Sequence, residues 1–449
     1  MAEKIDDVIK KALRIITPSE EERKRAKEVE DEVRKRLNEV LANYPELCFR
    51  FLGSYARDTW LRENLEFDVF ILFPEDFSMD EIEEKGLEIG KKVVDEYELR
   101  YAAHPYVHGR VRGVKVDIVP CYALKKPERI KSAVDRTPFH HDWLKNKVKR
   151  KESEIRLLKK FLKISNLYGA EYSVRGFSGY LCELLVIFFG SFKNTIKEGR
   201  KLTRDTVIDV LKGEIRKDKN LTSLFVIDPV DEKRNVAANL SVDKLAKFVE
   251  KCHAFIENPS ISLFTEKKEE KVDEELLKKE IEKRKTGIYL IEIEKPDIVE
   301  DNLYPQLERA CRKIHEHLAR RSFIPLRSSY FVGDRCYLIF ETEVKELSKI
   351  MKRMGPPFEK RKDVERFIKK ERKYRPFIED GRYFIYDERK YRSADESLKE
   401  FLKKEKVSLG KNLREKFDNF RLLKGEEILK AGDGKFKVFL AKFLCLVEE

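Results

Sequence analysis

Apolar residues first fall at helical spacing. Ala26, Val29, Val33, Leu37 and Val40 form one stripe of a long helix, and Thr17-Pro18 followed by Glu20 predicts its capped start, with proline at the first helical position. The period then changes. LCFRFLG, around Cys48 to Gly53, and LEFDVFILF, from Leu65 to Phe73, read as strands, and Pro74 ends the second. Between them SYARDTWLREN leaves room for a short helix. An amphipathic stretch from Met79 to Tyr97 precedes three further strand candidates, ELRYAAH, YVHGRVRG and VKVDIVPCY. Strands interleaved with helices imply a mixed α/β domain ending near residue 140.

From Trp143 to about Phe255 the pattern is mainly helical, and GFSGYLCELLVIFFGSF reads as a buried helix. Its most apolar part, Leu181 to Phe189, is interrupted by Glu183 and is too short to span a bilayer. Glu266 to Lys285 is almost wholly charged, either a solvated helix or a connector, and a domain boundary is placed there. GIYLIEIEKP restarts a strand, DNLYPQLERACRKIHEHL reads as a helix and CYLIFETEV as another strand. The remainder mixes basic helices with short strands. The start, MAEKIDDVIKK, carries acids and no apolar core, so the expectation is a soluble, cytoplasmic protein.

Charged residues make up 40% of the 449 residues, and the net charge is +13. That surplus favours a polyanionic partner, since neutralising phosphates releases condensed counterions. The seven cysteines lie far apart, which argues against a disulfide framework or a zinc knuckle.

The chemistry concentrates in FLGSYARDTWLRENLEFDVFILF. Gly53-Ser54 lies where a strand ends and a helix should begin. Glycine admits a ligand close to the backbone, and a helix N-terminus offers free N–H groups and a positive dipole end to a triphosphate. Ser54 adds a hydroxyl, and Arg57, one turn on, is placed to reach a phosphate oxygen. Glu66 and Asp68 project from one face of their strand, about 7 Å apart. Their apolar neighbours make the strand central, where carboxylates are costly unless paired or bound to metal. Asp117, inside VKVDIVP, supplies a third acid. Three gathered acids repel and raise one another's pKa without a cation. Two Mg²⁺ ions would remove that conflict and suit phosphoryl transfer to a 3′-hydroxyl.

This combination resembles the nucleotidyltransferase superfamily with a DNA polymerase β-like catalytic fold, and within it the archaeal, class I CCA-adding enzymes. RYAAHPYVHG, VDIVPCY, IKSAVDRTPFHH, YGAEYSVRGFSGYLCELL, DPVDEKRNVAANLS, KPDIVEDNLYPQLERA and KRMGPPFE extend the resemblance from residue 50 to about 360, and it fades after about 390. It implies an α+β multidomain chain: a catalytic palm domain over 1–140, a mainly helical nucleotide-binding domain over 141–265, a connector over 266–285 and a tRNA-binding region over 286–449. It implies that Glu66, Asp68 and Asp117 are the metal-binding catalytic triad, and that Gly53, Ser54 and Arg57 hold the triphosphate. By the same resemblance His140, Lys159 and Tyr168 contact the incoming nucleotide, and Arg234 reads the base edge together with the RNA backbone. The implied reaction adds C, C and A to the tRNA 3′ end from CTP and ATP with two Mg²⁺ ions. The implied partner is the 3′ end and acceptor arm of tRNA, and a homodimer is admitted. One departure stands out: Ala103 occupies the place of the acid in the family's AEHPY, which puts fidelity rather than chemistry in question.

Two basic runs, Lys145 to Lys151 and Lys360 to Lys373, the second interleaved with Phe367 and Tyr374, suit single-stranded ends and stacked bases. His104 and His108 flank a Pro-Tyr turn beside the catalytic strands; metal ligation is one reading, and a structural or RNA-proximal role is favoured over it, while His315 and His317 point apart on a helix and do not make a metal pair. The rival readings are a poly(A) polymerase on the same fold and a catalytically idle RNA-binding protein.

Overall fold

The structure, a computed structural model, describes residues 4–101, 104–266, 272–370, 373–405 and 408–447. The chain divides into two compact units, one within residues 1–268 and one within 269–449.

The first unit opens with α1 (Ile5–Ile16) and α2 (Glu20–Leu41). The cap of α2 is Ser19 rather than Thr17. The Ser19 hydroxyl accepts from the Glu22 N–H while Glu22 accepts from the Ser19 N–H, the closer match to a capping box. Thr17 instead closes α1, so Pro18 precedes the cap. Next come β1 (Cys48–Leu52), α3 (Gly53–Ala56), β2 (Glu66–Phe73), α4 (Met79–Val93), β3 (Glu96–Tyr101), β4 (Pro105–Val111) and β5 (Val114–Tyr122). The expected Pro-Tyr turn is therefore the start of β4. The five strands form one sheet in the order β1-β2-β5-β4-β3, with only β2 and β5 parallel. The α2 stripe, Ala26, Val29, Val33 and Leu37, is buried in one core with Phe67, Val69, Ile71, Val116 and Ile118 of the central strands. That packing fixes which strand residues point away from α2, and the acids are among them.

A second core joins α1 to α5 (Arg136–Leu144), α6 (Glu152–Ile164), α7 (Gly179–Phe189), α8 (Phe192–Gly199) and α9 (Val242–Glu257). Leu181 to Val186 of α7 are all buried, Glu183 included, as the apolar run on either side of that acid predicts. The mainly helical reading omits a small sheet of β6 (Thr206–Asp209), β7 (Glu214–Lys217) and β8 (Phe225–Ile227), ordered β7-β6-β8. Strands of three or four residues carry too few positions for a period of two to register.

The second unit begins with α10 (Glu274–Arg284), which lies inside the stretch read as a connector. Its Leu277 and Ile281 are buried with Ile288, Leu290, Phe436 and Leu440, so this part of the charged stretch belongs to a core. Then follow β9 (Gly287–Glu294), α11 (Glu300–Arg320), β10 (Pro325–Val332), β11 (Arg335–Thr342), β12 (Ile350–Pro357), α12 (Arg361–Lys369), β13 (Phe377–Glu379), β14 (Arg382–Glu388), α13 (Ala394–Glu405), β15 (Arg421–Lys424) and α14 (Gly434–Phe443). The antiparallel sheet β10-β11-β9-β15 is covered on both faces. Alternate β9 residues pack with α11 and α13 on one side and with α10 and α14 on the other. A smaller sheet, β12-β14-β13, carries α12.

Candidate active site

The sheet register assembles the site. Leu52, the last residue of β1, pairs with Asp68 on β2; Asp68 pairs with Asp117 on parallel β5; Asp117 pairs with His108 on β4. Paired residues project from the same face, so these side chains form one row, joined by Glu66 two residues before Asp68. Glu66, His108 and Asp117 each offer an atom within 4.8 Å of the others. His108 Nδ1 makes a short contact with Asp117 Oδ1 and lies 3.9 Å from Glu66 Oε1.

Gly53 turns the chain immediately beside this row. Its φ is +65°, and a Cβ there would lie 1.6 Å from Asp68 Oδ2, so the left-handed backbone and the closeness of the carboxylate both require glycine. The helix that follows is only Gly53–Ala56. So short a helix has little macrodipole, so any affinity of this turn for an anion would rest on its own N–H groups and the Ser54 hydroxyl.

Burial, then the charges of Asp117 and Glu66, push the Asp68 carboxyl up to about 7, against the pull of Arg57 and Lys159. Asp117 is raised as well, by burial first and by Glu66, although the His108 hydrogen bond opposes this. These are carboxylates crowded past comfort, and they offer hard oxygens, with the His108 nitrogen held against Asp117. The set fits a hard divalent cation.

The side of the site toward α6 and α7 is cationic. Arg57 lies 3.0 Å from Glu183 Oε2, both side chains buried. Thr59 Oγ1 donates to Glu183 Oε1 at 2.7 Å, and Lys159 Nζ donates to Thr59 Oγ1 at 3.0 Å. Burial raises the Glu183 carboxyl, but Arg57 and Lys159 outweigh it and hold the group below its usual value. A Cβ on Gly179 would meet the Tyr168 hydroxyl at 3.0 Å and Lys159 Nζ at 3.8 Å, so these two groups stand together over the start of α7. Burial raises the Tyr168 phenol, with contributions from Cys182, Glu183 and Asp68.

Comparison with known proteins agrees with this geometry. A nucleotidyltransferase domain model matches residues 33–140, the second domain of tRNA nucleotidyltransferase matches 153–265, and the C-terminal domain of the CCA-adding enzyme matches 284–425. A CCA-adding enzyme from Archaeoglobus fulgidus is 53% identical over 429 residues, 95% of this chain and 96% of that protein. The chain belongs to the CCA-adding enzyme family. CCA-adding enzymes from Methanocaldococcus jannaschii and Methanosarcina mazei are 40% and 35% identical, over 84% and 98% of this chain and 86% and 98% of theirs. The α+β catalytic domain is thus that of a nucleotidyltransferase, and the chain is an enzyme.

In this CCA-adding enzyme relative the remaining expected residues meet on a carboxylate that the sequence reading did not single out. His140 Nε2 lies 2.9 Å from Asp228 Oδ2, and Arg234 Nη1 donates to the same oxygen at 2.7 Å. The Tyr180 hydroxyl donates to Asp228 Oδ1 at 3.0 Å, and the His140 ring stacks on Tyr180 at 4.1 Å. Burial alone raises the Asp228 carboxyl; hydrogen bonds from His140, the Val230 N–H and Arg234 reverse this and hold it at about 2. The structure therefore gathers the ten expected residues around one row of acids and two buried anchors, Glu183 and Asp228. Glu183 had a signal, its interruption of an apolar run. Asp228 had none, because it precedes an ordinary proline turn.

His104 is buried with Nε2 2.7 Å from the Pro120 carbonyl, a structural contact. His315 faces Ser328 Oγ at 3.1 Å and His317 faces Ser397 Oγ at 2.8 Å, so they do not converge. In the first basic run Lys145 pairs with Asp142, Lys147 lies over Trp143 and Lys151 donates to the Gly190 carbonyl. Ala103 lies outside the described residues. Among those described, no helix is long and apolar enough to cross a membrane.

Proposed function

We propose that this enzyme adds C, C and A to the 3′ end of tRNA, taking nucleotides from CTP and ATP and releasing pyrophosphate. The carboxylate row on β2 and β5, in a chain of this family, carries the reading. Glu66, Asp68 and Asp117 would hold two Mg²⁺ ions. When bound, these supply charge neutralisation at the triphosphate and lower the pKa of the attacking hydroxyl. Asp117 Oδ1 is engaged by His108, which leaves Oδ2 to take up the proton of the RNA 3′-hydroxyl. Ser54 and the N–H groups of the Gly53 turn bind phosphate oxygens. Arg57 and Lys159, fixed by Glu183, set a positive wall on the triphosphate side, and Tyr168 orients the nucleotide from above α7. His140 and Arg234, braced by Asp228, meet the base and the RNA backbone.

In the same reading residues 1–140 catalyse, 141–265 complete the nucleotide site, and the second unit holds the tRNA acceptor arm. It places the protein in the cytoplasm and admits a homodimer. The test is extension of tRNA transcripts ending before CCA, after C and after CC, with CTP, ATP or both. Products ending at CCA, with ATP used only after CC, are expected. Long A-tails from every start would make it a poly(A) polymerase instead. Asp68→Ala should lose at least about 100-fold in incorporation, beyond the usual cost of disturbing a metal's outer shell, while tRNA affinity is kept. Binding without extension in the wild type would leave only an RNA-binding protein.

A further inference from the structure

Asp58 follows Arg57 with a left-handed backbone, at φ +52°, a conformation that aspartate adopts more readily than most residues. Its side chain points outward and is 43% exposed, while its neighbours Arg57 and Thr59 turn inward to Glu183. The outward carboxylate is held from two sides. Asp58 Oδ1 accepts from Arg23 Nη1 of α2 at 2.8 Å and from Arg156 Nη2 of α6 at 2.5 Å. Arg23 precedes the α2 stripe that packs against the sheet, and Arg156 lies among Ile155, Leu157 and Leu158 of the helical core. One carboxylate therefore ties together the two cores of the first unit.

Arg156 is not an ordinary surface partner. Its side chain is only 2% exposed, and burial pushes the guanidinium below the usual arginine value. Exposed ion pairs contribute little, whereas a buried cation is costly unless its donors are met. Arg156 satisfies its donors on one short segment. Besides the carboxylate, Nη2 donates to the Asp58 carbonyl at 2.5 Å and Nε to the Trp60 carbonyl at 2.9 Å. That segment is joined in turn to the Gly53 turn, because the Thr59 N–H donates to the Ser54 carbonyl at 2.9 Å. Lys159 Nζ donates to the Thr59 carbonyl at 3.2 Å. Movement at Asp58 therefore reaches Arg57 through the chain, and Ser54 and Lys159 through the hydrogen bonds of Thr59.

We propose that Asp58, braced by Arg23 and Arg156, is a positioning residue for the triphosphate: it sets where Ser54, Arg57 and Lys159 stand toward the phosphates without touching them. Its effect falls on the phosphate chain common to CTP and ATP, so it does not depend on the base. The proposal rests on the assignment of Ser54, Arg57 and Lys159 to the triphosphate in the functional reading above.

The test is titration calorimetry of the full chain with CTP, ATP and inorganic pyrophosphate in the presence of Mg²⁺. Asp58→Gly keeps the left-handed backbone but removes the carboxylate. It should bind all three about tenfold more weakly, as when a partner that orients a binding group is lost. Asp58→Asn keeps both the backbone preference and an acceptor oxygen, and should bind within about threefold of the wild type. A melting temperature near that of the wild type checks folding. If Asp58→Gly is unfolded, Arg23→Ala, on the more exposed side of the bridge, carries the test with a loss of about threefold for all three ligands. Wild-type affinity in the folded variant would overturn the proposal. So would equal losses in the glycine and asparagine variants, which would assign the effect to charge rather than to position. Weaker CTP and ATP with unchanged pyrophosphate would also overturn it, by placing the effect at the base. CCA addition by the same wild-type preparation is scored separately. A wild type that binds the three ligands without adding CCA sinks the functional reading alone, and one that binds none of them overturns both.

Discussion

Asp68 and Asp117 stand directly opposite each other on the one parallel strand pair of the catalytic sheet, and the turn residue Gly53 leaves no room for a methyl group beside Asp68. The acids are thus spaced by backbone pairing rather than by flexible side chains, and the Gly53 turn is fixed against them. Such a site tolerates little displacement.

Gly53→Ala tests that directly. A Cβ at 1.6 Å from Asp68 Oδ2 must move the turn or the acid, and a misplacement near 1 Å can cost about 100-fold in turnover. We expect kcat for CTP incorporation to fall by that order, with about 1–2 kcal/mol lost in stability from the left-handed backbone. Turnover within twofold of the wild type would show that the turn is not part of the site.

Asp228→Asn keeps the shape but removes the charge that anchors His140 and Arg234. The KM for CTP and ATP should rise by about 10-fold or more, as when a positioning partner is lost. There is also a signature in acid. The folded pKa of Asp228, about 2, lies below the ordinary value of 3.8. The depressed value contributes stability above the unfolded pKa, and that contribution is lost as pH falls through the folded one. It amounts to about 2 kcal/mol, present at pH 5 and gone near pH 2. Denaturant unfolding of wild type and Asp228→Asn across this window should show the difference between them shrinking as pH drops. A constant difference would refute the assignment.

Glu183→Gln leaves Arg57 and Lys159 buried without their counter-charge. Breaking one partner from such a group destabilises by about 3–5 kcal/mol, whereas removing the exposed Arg50–Asp142 pair should cost under about 1 kcal/mol. Chemical denaturation that found the two variants equally stable would show that Glu183 is not an anchor.

The catalytic sheet was legible because its central strands are buried on both faces, so Glu66, Asp68 and Asp117 stand out as charges interrupting apolar runs. Glu183 interrupts α7 in the same way, yet its partners are distant in sequence and no local pattern names them. Asp228 is harder still. Its meaning lies wholly in the side chains of His140, Tyr180 and Arg234, which reach it through tertiary packing. The strands β6 to β8 are too short to express a period, and the start of α2 was misplaced because two hydroxyl residues compete for one cap. Family resemblance named His140, Lys159, Tyr168 and Arg234, whereas composition and spacing did not.

The five residues from Arg57 to Leu61 pass from one hydrophobic core to the other. Trp60 is buried with the sheet and Leu61 with the helices. Arg57 and Thr59 are held by Glu183, and Arg156 of α6 binds the carbonyls of Asp58 and Trp60. No residue in this stretch is spare. A one-residue insertion here would have to shift the register of two cores at once, whereas the same insertion in a surface loop would disturb neither.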